Sequence, residues 1–200
     1  MWKDLPKSYS DQEREYIIKR LKEEAAKCLA QYGVRRTTVD ELVKRVGIPK
    51  GTFYLFYKSK ELLLFEVIQD QHEAINNELA SALSKISMKA LSADTLTDLI
   101  FEFFKKTDEM PILKLLDTDE VELLVRKLPR EVVAAHLQDD TDTIETMLSM
   151  FPLKKKVDVK VISAAFHAIY FATLHKVDIG EEHYDEALRM MIYGIVEQML

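Results

Sequence analysis

Five glycines and five prolines are all that this chain of 200 residues has with which to break a helix. The remainder is rich in Leu, Glu, Lys, Ala and Met, the residues that lose least on entering a helix. Pro111, Pro129 and Pro152 fall near the ends of periodic segments, where a missing amide costs little. The expected fold class is all-α. With 48% apolar residues and ordinary charge content, the chain can bury one substantial core or two small ones.

Helix boundaries follow from caps and periodicity. Ser10 and Glu13 form a capping-box pattern, and Ile17, Ile18, Leu21, Ala25, Cys28, Leu29 and Tyr32 make an apolar stripe that ends at Gly33. Cys28, the single cysteine, lies on that stripe and reads as a buried small hydrophobe. Residues 1 to 9 read as a mobile arm, with Lys3 and Lys7 in reach of a phosphate. From Lys60 to about Ser87 the pattern runs as one helix, about 40 Å long at roughly 1.5 Å per residue. Further helices are expected near 93–108, 111–116, 118–127, 129–150, 157–176 and 181–199.

Residues 37 to 60 read as two short helices joined at a glycine. Thr38 stands three residues before Glu41, so hydroxyl and carboxylate can cap each other's amides. Val39, Leu42, Val43 and Val46 repeat at helical spacing, and Gly47 suits the left-handed position that ends such a helix. Ile48 plugs the turn, and Pro49 pre-sets the next backbone dihedral. In the second helix, Lys50 to Tyr57, the spacing turns Phe53 and Tyr57 inward and Thr52, Leu55 and Phe56 outward. Two short helices with a Gly-containing turn are the helix-turn-helix pattern of DNA-reading proteins.

The longer string is more specific. Thr37, Thr38, Val39, then Val46, Gly47, Ile48, then Pro49, Lys50, Gly51, Thr52, Phe53, Tyr54, and finally Tyr57, Lys58, Lys60, Glu61 and Leu62 resemble the N-terminal pattern of the TetR-type (TetR/AcrR) transcriptional repressors. The resemblance covers about a quarter of the chain. It implies an N-terminal three-helix bundle with a helix-turn-helix, residues 1–58, joined by a long helix to a helical ligand-binding and dimerisation domain, residues 59–200. It implies that Thr38, Lys50, Tyr54 and Lys60 hold phosphates while Gly51 and Thr52 approach the bases. Leu55 and Phe56 complete the groove face, and Lys58 suits either a phosphate contact or a solvated surface. Arg35, Arg36, Lys44 and Arg45 suit either phosphate contact or a solvated surface.

Three positions depart from the family pattern. Pro49 replaces a small hydroxyl residue, Val43 and Val46 stand where alanine is usual, and Leu55 and Phe56 make the groove face apolar. Readout weighted toward thymine methyls and DNA shape is the expectation.

The net charge of −6 divides unevenly. Residues 1 to 60 carry 14 basic against 8 acidic side chains, and the rest carry 14 against 26. Positive charge is concentrated where DNA would lie. No apolar run approaches the roughly 20 residues of a membrane span, and no apolar leader opens the chain. A cytoplasmic location without membrane association is expected.

In the C-terminal half, Phe101, Phe103 and Phe104, then Met147, Met150 and Phe151, then Phe166, His167, Tyr170 and Phe171 could line a cavity for a small-molecule effector, an apolar or aromatic one. Residues 159–175 are apolar around nearly the whole helix, and the last helix likewise carries many apolar residues. Ala165, Ala168, Ile169, Ala172, Leu188, Met191 and Ile195 are therefore expected to meet a second copy in a four-helix interface, which the resemblance also implies. Burial in a single large core is the alternative. His136 with Asp139, His175 with Asp178, and Glu181, Glu182 and His183 have spacings open to acid–base or metal chemistry, each more often found at a helix surface. No nucleophile elbow, phosphate loop, HExxH string or paired-cysteine motif occurs, so neither enzyme activity, cofactor nor metal is expected.

Overall fold

A computed structural model describes residues 9–87, 91–108, 118–155, 157–173 and 175–200. The expected mobile arm over 1–8 and the expected helix over 111–116 lie outside them. Ten helices follow one another among the described residues: α1 (Asp11–Arg36), α2 (Val39–Val46), α3 (Lys50–Phe56), α4 (Lys60–Ser84), α5 (Ala93–Asp108), α6 (Thr118–Lys127), α7 (Arg130–Leu148), α8 (Val159–Thr173), α9 (Lys176–Ile179) and α10 (Tyr184–Met199). The fold is all-α, and no helix among the described residues is long and apolar enough to cross a membrane.

The capping box of α1 forms in both directions: Ser10 Oγ accepts from the Glu13 amide at 3.3 Å, and the Ser10 amide donates to Glu13 Oε2 at 2.8 Å. Gly33 breaks α1 near its end with φ 72° and ψ −176°, a combination open essentially to glycine alone. One more turn, Val34 to Arg36, follows the break. A Cβ at Gly33 would lie 3.1 Å from a carboxylate oxygen of Glu120. Gly33→Ala is therefore expected to lower unfolding free energy by about 1–3 kcal/mol, read as a shift of the urea midpoint with unchanged slope.

Two apolar clusters organise the chain, and α4 runs through both. The first gathers Leu21, Cys28 and Leu29 of α1, Leu42 of α2, Phe53 of α3 and Leu63, Leu64 and Val67 of α4. It also takes Leu124 from α6 and Leu128 just beyond it, with Leu123, Val132 and Val133 beside them. The core beneath the two short helices thus reaches well past residue 58. The second cluster joins Leu83 of α4 to Leu96, Ile100 and Phe104 of α5, Met147 and Leu148 of α7, Ile162, Phe166 and Ile169 of α8, and Tyr184, Leu188, Ile192, Val196 and Met199 of α10.

Polar contacts reinforce the seam between α6 and the first three helices. The Glu120 carboxylate accepts from the amides of Val34 and Arg35, the latter at 3.1 Å, so the turn after Gly33 is clamped from α6. Lys127 reaches Glu61, at the start of α4, at 3.2 Å. Lys22 ties α1 to α4 through Glu66 at 2.6 Å and Asp70 at 2.8 Å.

Candidate nucleic-acid interface and ligand cavity

The first short helix begins where Thr38 Oγ1 accepts from the Glu41 amide at 3.2 Å. The return half of the expected capping box is replaced: the Glu41 carboxylate accepts instead from Arg45 Nε, one turn on, at 2.7 Å. That ion pair, with the guanidinium 5.7 Å over the Tyr32 ring, engages Arg45 within the bundle. Gly47 ends α2 with φ 78° and ψ 34°, and its amide and that of Ile48 both donate to the Val43 carbonyl, at 2.9 and 3.0 Å. Pro49 caps α3 without any side-chain hydrogen bond, consistent with the hydroxyl residue it replaces.

Phe53 is fully buried and anchors α3, with the Tyr57 ring 6.0 Å away. Burial, with the Glu66 carboxylate close by, holds the Tyr57 phenol protonated well above the ordinary tyrosine range. Outward, Tyr54 and Leu55 are more than half exposed and Gly51 is open.

Thr52 corrects the helical-wheel expectation. It is buried at 7% exposure, because Tyr9, just ahead of α1, lies across it with its hydroxyl 3.1 Å from Thr52 Oγ1. Phe56 is likewise half covered: the Tyr9 ring centres 6.0 Å away and the Arg14 guanidinium sits 5.3 Å over the other ring. The outward face of α3 is consequently narrower than expected.

Thr38, Lys50, Tyr54, Lys58 and Lys60 border one shallow depression, together with Arg35, Asp40 and Ser59. Lys50 pairs there with Asp40 at 2.9 Å, both side chains exposed, and that contact raises the Lys50 pKa. An exposed pair of this kind is weak and readily exchanged for a phosphate. Lys60 differs from expectation. Its ammonium turns inward, donates to the Val34 carbonyl and lies 4.0 Å from Glu61, and burial lowers its pKa. At the α4 N-terminus, Ser59 Oγ takes the Leu62 amide at 3.3 Å.

The second cluster encloses a cavity of about 130 Å³. Phe104, Met147, Phe151, Phe166, His167 and Tyr170 line it, with Phe103; Phe101 is not among the lining residues and packs beside the cluster. Met150, in the turn after α7, and Phe171 on α8 are exposed. His72 and Asn76 on α4 and Thr143 on α7 also line the cavity. Sequence reading missed them because polar side chains on an amphipathic helix look like its solvent face.

Residues expected to meet a second copy divide in two. Leu188, fully buried, and Ile169, 4% exposed, belong to the chain's own core, because the stripe Tyr184, Leu188, Ile192, Val196 faces inward. Ile195 is half-buried against the same core, Ala165 and Ala172 are half-buried, and Ala168 and Met191 are exposed. The apolar groups left outside are Val161, Ala164, Ala168 and Phe171 on α8 and Met190 and Met191 on α10.

The histidine–carboxylate spacings produce surface contacts. His175 and Asp178 meet at 3.1 Å and His183 and Glu186 at 3.2 Å, all four exposed, while His136 sets its ring edge against Phe65 at 5.3 Å. No trio of metal-ligating side chains assembles among the described residues.

A buried three-helix bundle presenting Gly51, Tyr54 and Leu55 from a short helix, with cationic and hydroxyl groups around its base, is the architecture of a helix-turn-helix DNA-binding protein. Residues 21–67 match the model of the bacterial regulatory proteins, tetR family. The fatty acid metabolism regulator protein of Bacillus subtilis is 20% identical over 180 residues, 86% of this chain and 91% of that protein. The uncharacterized HTH-type transcriptional regulator YuxN of the same organism is 24% identical over 58% of this chain, which spans only 41% of that relative's length. In fold, Thermus thermophilus FadR, a TetR-family transcriptional repressor solved in complex with lauroyl-CoA, superposes with a TM-score of 0.66 at 18% identity, over 92% of this chain and 95% of that one. Residues 21–67 thus match the tetR family of bacterial regulatory proteins, and the chain as a whole has the fold of TetR-type regulators.

Proposed function

We propose that this protein is a homodimeric, ligand-responsive repressor. Two copies of the α2–α3 unit enter successive major grooves of a near-palindromic operator, and a small apolar molecule in the cavity releases them. The observation that carries this reading is the continuity of α4: it starts beside the Thr38–Lys50–Tyr54 depression and, three to six turns on, contributes His72, Asn76, Leu79 and Leu83 to the cavity wall. An effector that displaced α4 would alter the separation of the two reading units. The likeness to a fatty acid metabolism regulator, and to a fold-mate that binds lauroyl-CoA, supports an acyl compound as the first effector class to test.

Thr38, Lys50, Tyr54 and Lys58 are proposed to hold phosphates, with the amides at the α4 N-terminus supplying the contact that the inward Lys60 does not. Gly51 and Leu55 approach the bases, and Thr52 and Phe56 support them from behind. The outer faces of α8 and α10 form the dimer contact.

Selection from random duplex DNA with the purified protein tests the reading. Recovery of an inverted repeat, with affinity falling steeply between two salt concentrations, is expected; failure to enrich any sequence at low salt would remove it. A sharper probe is Gly51→Ala. A Cβ there meets nothing within 4 Å, so folding stability should be unchanged or raised by up to about 1 kcal/mol. Operator affinity should nevertheless drop, measured by fluorescence anisotropy, because the added methyl enters the space the DNA backbone or base edge needs.

A further inference from the structure

The cavity has chemically unequal ends. Along α4 the lining passes from His72 and Asn76 to Leu79 and Leu83, a run of roughly 16 Å at 1.5 Å per residue. His72 stacks on Tyr170, ring centres 6.3 Å apart, and Tyr170 lies one turn from His167 on α8, so two imidazoles, a phenol and an amide share the same end. Thr143 of α7 also lines the cavity.

No lysine, arginine, aspartate or glutamate lines the cavity among the described residues. Its titratable groups are His72 on α4 and His167 and Tyr170 on α8, with His136 of α7 behind, 5.7 Å from His72. Imidazole gains a positive charge close to neutral pH, whereas a phenol ionises only near pH ~10. An imidazole that takes up a proton would make this end of the cavity positive, and no described lining side chain carries a carboxylate. Among the described lining residues a cationic ligand would find no counter-charge. An anionic head would find hydrogen-bond donors and an inducible positive charge, the requirement for holding an ion away from water.

We propose that the effector is an apolar carboxylic acid, its carboxylate held at the His72–His167–Asn76 end and its tail directed toward Leu83 and Met199, and that binding takes up a proton onto an imidazole. This rests on the cavity being the effector site. Its volume, about 130 Å³, is close to the roughly 150 Å³ that accepts a benzene ring in an engineered apolar cavity, which favours a medium-chain or aryl acid.

The test is calorimetric titration of the full-length protein with octanoate, octanol and lauroyl-CoA at pH 6.5 and 8.5, in buffers of differing ionisation enthalpy. Octanoate should bind roughly tenfold or more tighter than octanol at the lower pH. That preference should shrink at the higher pH, and proton uptake should appear as a buffer-dependent heat. His167→Gln and His72→Asn should each remove the preference, with circular dichroism and an unchanged urea midpoint showing that the variants fold. Octanol binding as well as octanoate at both pH values, or lauroyl-CoA binding tightest with no response to the histidine changes, overturns the acid assignment and leaves the effector reading standing. If none of the three binds, both fail.

Discussion

If the outer faces of α8 and α10 form the dimer contact as proposed, arginine at both Phe171 and Met190 is expected to convert the dimer to a monomer and to weaken operator binding by roughly two to four orders of magnitude. In the single chain these side chains are 57% and 75% exposed, so a long charged replacement meets no steric or solvation barrier to folding of the subunit. At a two-fold contact both guanidinium groups from each subunit would be stripped of water without partners, a cost of several kcal/mol per ion. The monomer would still present one reading unit, but it would lose the gain that comes from tethering two half-site contacts. Light scattering after size exclusion reads the first effect and anisotropy on a full inverted repeat the second. A double variant that stays dimeric would place the contact elsewhere on the molecule.

The second large effect is expected from Phe53→Ala, which should cost about 3–5 kcal/mol of unfolding free energy. The ring is fully buried among α1, α2 and α4, and α3 has no side-chain N-cap to help hold it, since Pro49 offers none. For a domain of ordinary stability, about 5–15 kcal/mol in all, this loss is a large fraction. Leu55→Ala, two residues away and 57% exposed, should change stability by no more than about 0.5 kcal/mol. If Leu55 reads the groove as proposed, its replacement should still weaken operator binding. Urea unfolding and operator titration on the same two variants separate the anchor from the reader; equal stability of both would mean that α3 is not held by Phe53.

What could be read from the sequence was local. The Ser10 cap, the Thr38 cap, the left-handed Gly47 and the burial of Phe53 and Tyr57 each depend on residues within a turn or two of one another, where spacing alone fixes the geometry. What could not be read was which distant surface covers which face. Thr52 is covered by Tyr9, 43 residues away, and nothing in α3 announces it. Lys60 turns inward to a carbonyl 26 residues earlier, because the turn after Gly33 brings that oxygen to the start of α4. In α8, apolar on nearly every side, periodicity could not say that Ile169 faces the chain's own core while Phe171 faces out.

The insertion of Leu124 and Leu128 into the first core bears on how the protein can be handled and rearranged. A fragment cut near residue 58 would lack Leu63, Leu64 and Val67 as well as these two, and would expose the wall of α1 against which they pack. Its Val34 and Arg35 amides would also lose the Glu120 carboxylate. The DNA-reading portion is therefore not a detachable cassette: a chimera that grafts it onto another sensor must carry α4 and α6 along, or supply equivalents for both.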